Sequence, residues 1–119
     1  MPFIEVHALP FEFLDDRDFL EKLEVALIAG LADAIGVNEG ICHVDFIVSA
    51  PRKLLPNHLV WVYVGSGVFE GVTPEVSALK LRATDVVGRI IKVALHNRFN
   101  VEAIPVALDG KHMAYFKAT

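Results

Sequence analysis

The sequence predicts an α/β (α+β) fold in which two tandem β-α-β units build one four-stranded mixed sheet, with two helices on one face of it. Three observations predict this arrangement. Strand-like and helix-like segments follow one another in the same order in the two halves of the chain, and corresponding segments are of similar length. A helix lies between the two strands of each half, so we expect those strands to be parallel and joined by a right-handed crossover.

The first unit covers about residues 2–48. Its first strand shows alternation, and its helix carries apolar residues at helical spacing. Asp15 or Asp16 can cap that helix, because an Asp carboxylate accepts hydrogen bonds from the free N–H groups of a first turn. Gly36 is a natural end for it. We therefore expect, in order, a strand from Pro2 to Leu9, a connecting loop from Phe11 to Leu14, a helix ending at Ile35, and a strand from Ile41 to Val48.

The second unit covers about residues 59–108 and is followed by a C-terminal segment at 111–119. The sequence Thr73-Pro74-Glu75 supplies an N-cap, a proline at the first helical position and an acid that favours a helix start. Pro105 lies within the last strand and favours an edge position, because proline has no N–H for a sheet ladder. We expect a strand from Leu59 to Val64, a helix ending near Asn97, and a strand from Val101 to Leu108.

Composition predicts one domain, residues 1–119, that associates with copies of itself. Hydrophobic residues make up 54% of the chain, which is high for a protein with so large a surface relative to its volume. An excess of apolar residues is most simply covered by another copy, so we expect a homo-oligomer. The chain has no apolar stretch of the roughly 20 residues that a membrane helix needs. It also has no signal-peptide pattern at its N-terminus, so we expect a cytoplasmic protein with no membrane partner.

Charge and cysteine content exclude several classes of function. The net charge of −4 argues against nucleic acid as a partner, because phosphate binding needs a concentrated basic surface. The single cysteine, Cys42, excludes an internal disulfide and fits a reducing compartment. It lies in an apolar strand pattern, and we expect a buried structural residue. The five histidines show no ligand spacing and no glycine-rich phosphate loop is present, so we expect neither a metal site nor a cofactor.

The residue with the clearest chemical potential is Pro2. Removal of Met1 would expose a secondary amine at the chain end. An ordinary α-amino group titrates near ~8, and burial in an apolar pocket lowers that value by disfavouring the charged form. A neutral amine can take a proton from a carbon next to a carbonyl and return it elsewhere, which is acid–base catalysis by one group.

The start Met1-Pro2-Phe3-Ile4-Glu5-Val6, followed by a helix ending at Gly36, by Val64-Gly65 and by a second helix, resembles the tautomerase superfamily that includes macrophage migration inhibitory factor. That resemblance implies a homotrimer and a cofactor-free isomerase that acts on a small enol or α-keto acid, with Pro2 as its acid and base. It also implies that the backbone around Val64 lines the pocket and that Phe116 closes it.

The resemblance further implies a cation that binds a substrate carboxylate, and here the sequence departs from the pattern. Val37 stands where some members have lysine, and His43 stands where others have arginine. Arg17 is a possible substitute, although three neighbouring aspartates make a surface ion pair the simpler expectation. For His43, a hydrogen-bonded role on a strand facing the helices or an interface is simpler than substrate binding. Glu5 and His7 share a strand face and can form an acid–base pair or line an oligomer's channel.

Two alternatives stay open at this point. The same element order occurs in ferredoxin-like modules, which would predict a dimer that binds a small molecule without catalysis. A tautomerase fold that has lost its chemistry would also accommodate the missing cation.

Overall fold

The computed structural model describes residues 2–48 and 59–108, and within them the two β-α-β units are present as predicted. Four strands, three α-helices and two short 3₁₀ turns follow one another along the chain. In chain order the strands and α-helices are β1 (Phe3–His7), α1 (Phe11–Leu14), α2 (Arg17–Ile35), β2 (His43–Ile47), β3 (Leu59–Ser66), α3 (Pro74–Ala94) and β4 (Asn100–Ala107).

The four strands form one mixed sheet in the order β2-β1-β3-β4. β1 pairs with β2 and β3 with β4 in parallel, as expected for strands joined by a crossover helix. β1 and β3 pair in antiparallel orientation at the centre of the sheet. β4 is an edge strand, which confirms the expectation for Pro105.

This topology distinguishes between the two fold families that the element order left open. In a ferredoxin-like sandwich, each βαβ unit is split, so that another strand lies between its two parallel strands. Here the parallel partners β1 and β2 are direct neighbours, and so are β3 and β4. The ferredoxin-like alternative is therefore excluded for the fold.

The long helices α2 and α3 cover one face of the sheet and form the core with it. Ile4 and Val6 of β1 are fully buried on that face, and Val60, Val62 and Val64 of β3 lie beside them. Each helix contributes an apolar stripe that is equally buried, including Leu27, Leu31, Val87 and Ile91. Burial of this kind is the main favourable contribution to folding.

The predicted helix ends are confirmed by their hydrogen bonds. The Asp16 carboxylate accepts from the Phe19 N–H at 3.1 Å, and the Thr73 hydroxyl accepts from the Val76 N–H at 3.2 Å. Gly36 ends α2 with a φ of 71°, a left-handed conformation that glycine adopts at little cost. The helix α3 ends at Ala94, slightly earlier than the predicted end near Asn97.

Two local predictions were wrong. Residues Phe11–Leu14, expected as a loop, form the short helix α1, in which the Asp15 N–H donates to the Phe11 carbonyl at 3.0 Å. The strand expected from Ile41 begins instead at His43, because a 3₁₀ turn at Glu39–Ile41 precedes it. Cys42 is consequently half-buried just before β2 rather than enclosed in it. The expected C-terminal segment at 111–119 lies outside the described residues.

None of the described helices has the length and apolar character needed to cross a bilayer.

Candidate active site

Pro2 lies at the end of the sheet where β1 begins, and it is buried. Its carbonyl oxygen accepts a hydrogen bond from the His43 N–H at 3.1 Å, which ties the start of the chain to the start of β2. Because side chains alternate along a strand, the Pro2 ring shares the helix-covered side of the sheet with Ile4. Pro2 is therefore buried and held by a backbone hydrogen bond.

Ser66 is the residue of β3 that lies opposite Pro2 when the register of the β1–β3 pair is extended by one position. It is 2% exposed, and its hydroxyl accepts from the Val68 N–H at 3.3 Å. Its carbonyl accepts from the Leu108 N–H at 3.2 Å, so β4 also ends at this place. Ser66 was not predicted as a site residue, because the expected strand stopped at Val64, whereas β3 continues to Ser66.

Val64 lies next to this site, but its side chain does not contribute to the surface of the site. It pairs with Ile4 and is fully buried in the core between sheet and helices. Its side chain therefore belongs to the core and not to the surface at the end of the strand. This placement is compatible with the expectation that the backbone around Val64 lines a pocket.

Gly65 permits a close approach between the two central strands. A Cβ atom at this position would lie 1.9 Å from Cε1 of the Phe3 ring, so the ring occupies the space that any larger residue would need. Phe3 follows Pro2 directly, and it pairs with both Gly65 and His43. The absence of a side chain at Gly65 thus determines where the Phe3 ring lies, on the face of the sheet away from the helices.

His43 opens β2, but its ring lies on the sheet face that the helices leave open. Its register partner Phe3 is on that face, whereas the next residue, Val44, is buried against the helices. The His43 Nε2 atom is 3.0 Å from the Asp45 carboxylate, and both side chains are largely exposed. The structure therefore brings the His43 backbone to Pro2, while its ring lies on the other side of the sheet.

Glu5 and His7 lie on the same open face and are in contact, as their spacing predicted. The His7 Nε2 atom is 3.5 Å from the Glu5 carboxylate. The His7 ring stacks on Trp61 with centroids 5.4 Å apart and meets the edge of Tyr63 at 5.3 Å. The pair belongs to an aromatic patch on the open face of the sheet and does not lie beside Pro2.

Arg17 is far from Pro2 within one chain. It is the exposed first residue of α2, which starts at the end of the sheet where β1 finishes. The helix then runs back for 19 residues, about 27 Å at 1.5 Å per residue, before the chain returns to the Pro2 end. Val37, at that near end, supplies no charge, and its N–H donates to the Ala32 carbonyl.

Two further expectations concern residues outside the described ranges. Phe116, expected to close the pocket, lies outside the described residues. So does Met1, whose removal would expose the Pro2 nitrogen. Their roles stay predictions.

Cys42 is close to the start of β2 but is poorly suited to act as a nucleophile. Burial, followed by the charge of Glu39, raises the pKa of its thiol above the ordinary value. The thiol therefore stays protonated at neutral pH, and it is the thiolate that reacts. Within residues 2–48 and 59–108, no three His, Cys, Asp or Glu side chains are grouped so that they could hold a metal ion.

Solved structures of tautomerase-superfamily proteins share this fold and match the chain over most of its length. A fused 4-OT protein, described as a wild-type symmetric trimer, is 15% identical with a TM-score of 0.67; the match covers 89% of this chain and 85% of that protein.

Two more structures show the same likeness. A macrophage migration inhibitory factor homologue from Prochlorococcus marinus is 19% identical with a TM-score of 0.61, over 88% of this chain and 89% of that one. Pt0534, described as inactivated by 2-oxo-3-pentynoate, is 10% identical with a TM-score of 0.60, over 94% and 97%. No protein-family model matches the sequence, and no curated protein matches it. The chain therefore has a tautomerase fold, and its chemistry must be argued from its own residues.

We predict that Gly65→Ala lowers the free energy of unfolding by about 1–3 kcal/mol, because the added methyl group overlaps the Phe3 ring and forces it to move. Urea unfolding of the single variant and of the same change in a Phe3→Ala background measures this. In the second background the cost should largely disappear. An equal cost in both backgrounds would show that the ring is not what excludes a side chain at position 65.

Proposed function

We propose that this chain is a cofactor-free tautomerase that interconverts the keto and enol forms of a small α-keto acid, with the Pro2 nitrogen as its acid and base. The reaction moves one proton from the carbon beside the carbonyl to the nitrogen, and then from the nitrogen to the carbonyl oxygen. No redox step or co-reactant is needed. The product is the enol, and the nitrogen returns to its neutral form.

The observation that carries this proposal is the buried position of Pro2 at the end of an apolar strand. Once Met1 is removed, the Pro2 nitrogen is a chain-terminal secondary amine. Burial disfavours its charged form, so a larger fraction is neutral and able to accept a proton at neutral pH. The hydrogen bond between the Pro2 carbonyl and the His43 N–H keeps the residue in place.

Substrate selection is the part of the proposal in which this chain departs from the expected pattern. Val37 provides no cation, and the His43 ring already contacts Asp45. We propose that the backbone near Val64 and His43 lines the pocket, with Phe116 closing it. We propose that Arg17 can bind substrate only in the site of a neighbouring copy, because within one chain it lies at the opposite end of the sheet from Pro2.

We also propose that the chain forms a homotrimer, as the fused 4-OT protein is described to do. Two features of the fold support self-association. Among residues 2–48 and 59–108, β2 and β4 are the edge strands of the sheet, and unpaired edges are normally covered in natural proteins. The face opposite the helices carries Phe3, Trp61, Tyr63 and Ile104, which are only half-buried in one chain.

Native mass spectrometry or light scattering should therefore give the mass of three chains of 13.1 kDa each. The half-buried aromatic and aliphatic side chains of the open face need a partner, so the trimer should persist on dilution to micromolar concentrations. A stable monomer or a two-fold dimer would contradict the proposed assembly.

We predict that protein with Pro2 as its first residue interconverts the keto and enol forms of phenylpyruvate, measured by the absorbance of the enol. Pro2→Ala should lower kcat/KM by about 100-fold or more, because proton transfer by a positioned group contributes this much. A single glycine placed before Pro2 should abolish the activity, since the nitrogen then becomes an amide. Pro10→Ala, a proline substitution at the other end of the sheet, should change neither activity nor folding.

Covalent labelling gives a readout that does not depend on choosing the right substrate. 2-Oxo-3-pentynoate, the compound that inactivates Pt0534, carries an activated alkyne to which a neutral amine can add. The N–H adds across the triple bond and nothing leaves, so the chain should gain the mass of one reagent molecule. The glycine-extended protein should gain none. Equal activity or equal labelling of the native and extended proteins would eliminate Pro2, leaving a tautomerase fold without this chemistry.

A further inference from the structure

A groove lies between α2 and α3, at the opposite end of the molecule from Pro2. The two helices pack closely at Gly30, where a Cβ atom would lie 2.5 Å from Cδ1 of Ile90 and 3.0 Å from Cγ1 of Val86. Toward the start of α2 and the end of α3, the space between the helices opens to about 580 Å³. Sites for small molecules usually have volumes of about 300–1,000 Å³.

The floor of the groove is apolar. Phe19 forms one end of it, and its ring is packed against Phe13 with centroids 4.8 Å apart. Leu23 is buried beneath the groove, whereas Val93 is 68% exposed along its side. The apolar lining consists of Phe19, Leu23, Ala26, Ile90, Val93 and Ala94.

Every charged or titratable side chain that lines the groove is of a basic type. These residues are Lys22, Arg89 and His96, and no Asp or Glu lines it. The contrast with the whole chain, which has 15 acidic and 11 Lys or Arg residues, shows a local basic rim on an acidic protein. An apolar floor with a basic rim is complementary to a molecule that has an apolar body and an anionic end.

Lys22 and Arg89, the two permanent cations of the rim, form ion pairs but stay exposed to solvent. Lys22 Nζ is 3.0 Å from the Asp18 carboxylate, and Arg89 Nε is 2.8 Å from the Asp85 carboxylate. Both are pairs one helical turn apart on exposed surface, and such pairs contribute little because water screens them. The hydrogen bond from Arg89 to Asp85 also raises the pKa of the guanidinium, which stays charged. Each cation has further N–H groups that a bound anion can use.

His96 occupies a backbone position at which glycine is the favoured residue. It follows Leu95, the C-cap of α3, and has a φ of 57°. The His96 N–H donates to the Val93 carbonyl at 3.0 Å, and the Asn97 N–H donates to the Lys92 carbonyl at 2.9 Å. These two bonds define a Schellman motif, in which a left-handed residue ends the helix. A histidine here has a conformational cost that glycine would avoid, and its side chain lines the groove.

We propose that this groove binds a small amphiphilic carboxylate from solution, with its aliphatic body on the floor and its carboxylate at Lys22, Arg89 and His96. The size of the groove favours a small molecule over a protein partner. Its α2 wall runs from Phe19 to Ala26, about 10 Å of helix. A stable protein interface covers roughly 800 Å² on each partner. The site is independent of the proposed activity, because it lies at the other end of the sheet from Pro2.

The test uses decanoate, titrated into the whole protein below its micelle concentration and followed by calorimetry and backbone amide NMR. Decanoate should bind saturably at one site per chain, and amide shifts should centre on residues 19–26 and 89–96. Decan-1-ol and decylammonium, which have the same chain without the carboxylate, should bind at least about tenfold more weakly, as expected for loss of a charge-assisted contact.

Variants distinguish the rim from a general charge effect. Arg89→Gln should weaken decanoate binding about tenfold, whereas Lys80→Gln, the same charge change on the same helix but outside the groove, should leave it unchanged. His96→Gly should weaken binding although the protein unfolds at the same or a higher urea concentration, because glycine suits the left-handed position. A merely structural histidine would lose stability instead and leave binding as it was.

Three outcomes would overturn the proposal. In the first, all three decyl compounds bind equally, or Arg89→Gln and Lys80→Gln have the same effect. In the second, decanoate does not bind, while the NMR shifts at 19–26 and 89–96 depend on protein concentration, which would assign the groove to a second copy. In the third, decanoate does not bind but vesicles that contain anionic lipid do, which would assign the groove to a membrane surface.

Discussion

The structure depends on the pairing of one five-residue strand, β1, with a neighbour on each side. β1 is the segment that joins the two β-α-β units, since it is parallel to β2 in its own unit and antiparallel to β3 of the other. Its Ile4 and Val6 side chains are completely buried under the two long helices. Because the strand is fixed by hydrogen bonds on both edges and by packing on one face, Pro2 at its start is fixed as well. The strand pairing and packing that form the core therefore also determine the position of the candidate site.

The fold places side chains of different chemistry at the two ends and on the open face of the sheet. At one end, β1 begins while β3 and β4 finish, which places Pro2, Ser66 and Leu108 close together. At the other end, α2 begins and α3 finishes, which places the basic rim of the groove there. The open face of the sheet carries paired acids and histidines beside Trp61 and Tyr63. Each of these features results from strand direction and helix length rather than from closeness in sequence.

Local chemistry was sufficient to predict much of the fold. Thr73 and Asp16 cap helices, and Gly36 ends one, because these effects depend on a few consecutive residues. The short helix at Phe11–Leu14 was missed because its N-cap is Pro10, which has no side chain to accept a hydrogen bond. Tertiary contacts hold it instead, since Phe13 packs against Phe19 and Phe99. The contact with Phe99 joins residues far apart in the chain and leaves no local pattern.

The candidate site was predictable only in part, for the same reason. Pro2 was identified from its position and from resemblance, but its nearest neighbours depend on register. Ser66 lies opposite it only because β3 continues two residues beyond Val64, and that extension depends on pairing with β4 up to Ala107. Arg17 was considered as a possible substitute for the missing cation, but the length of α2 puts it at the opposite end of the sheet from Pro2. The groove between the helices gave no signal as a site, because its apolar residues have ordinary helical spacing.

The central claim is that the Pro2 nitrogen is a buried, neutral amine in the working protein. Nitrogen-15 NMR of protein labelled at Pro2, with Met1 removed, measures the titration of that nitrogen directly. A buried, neutral amine should show a single titration with a pKa well below the value of about 8 that is ordinary for an α-amino group. A pKa at or above that value would contradict it, because the nitrogen would then be solvated and charged at neutral pH.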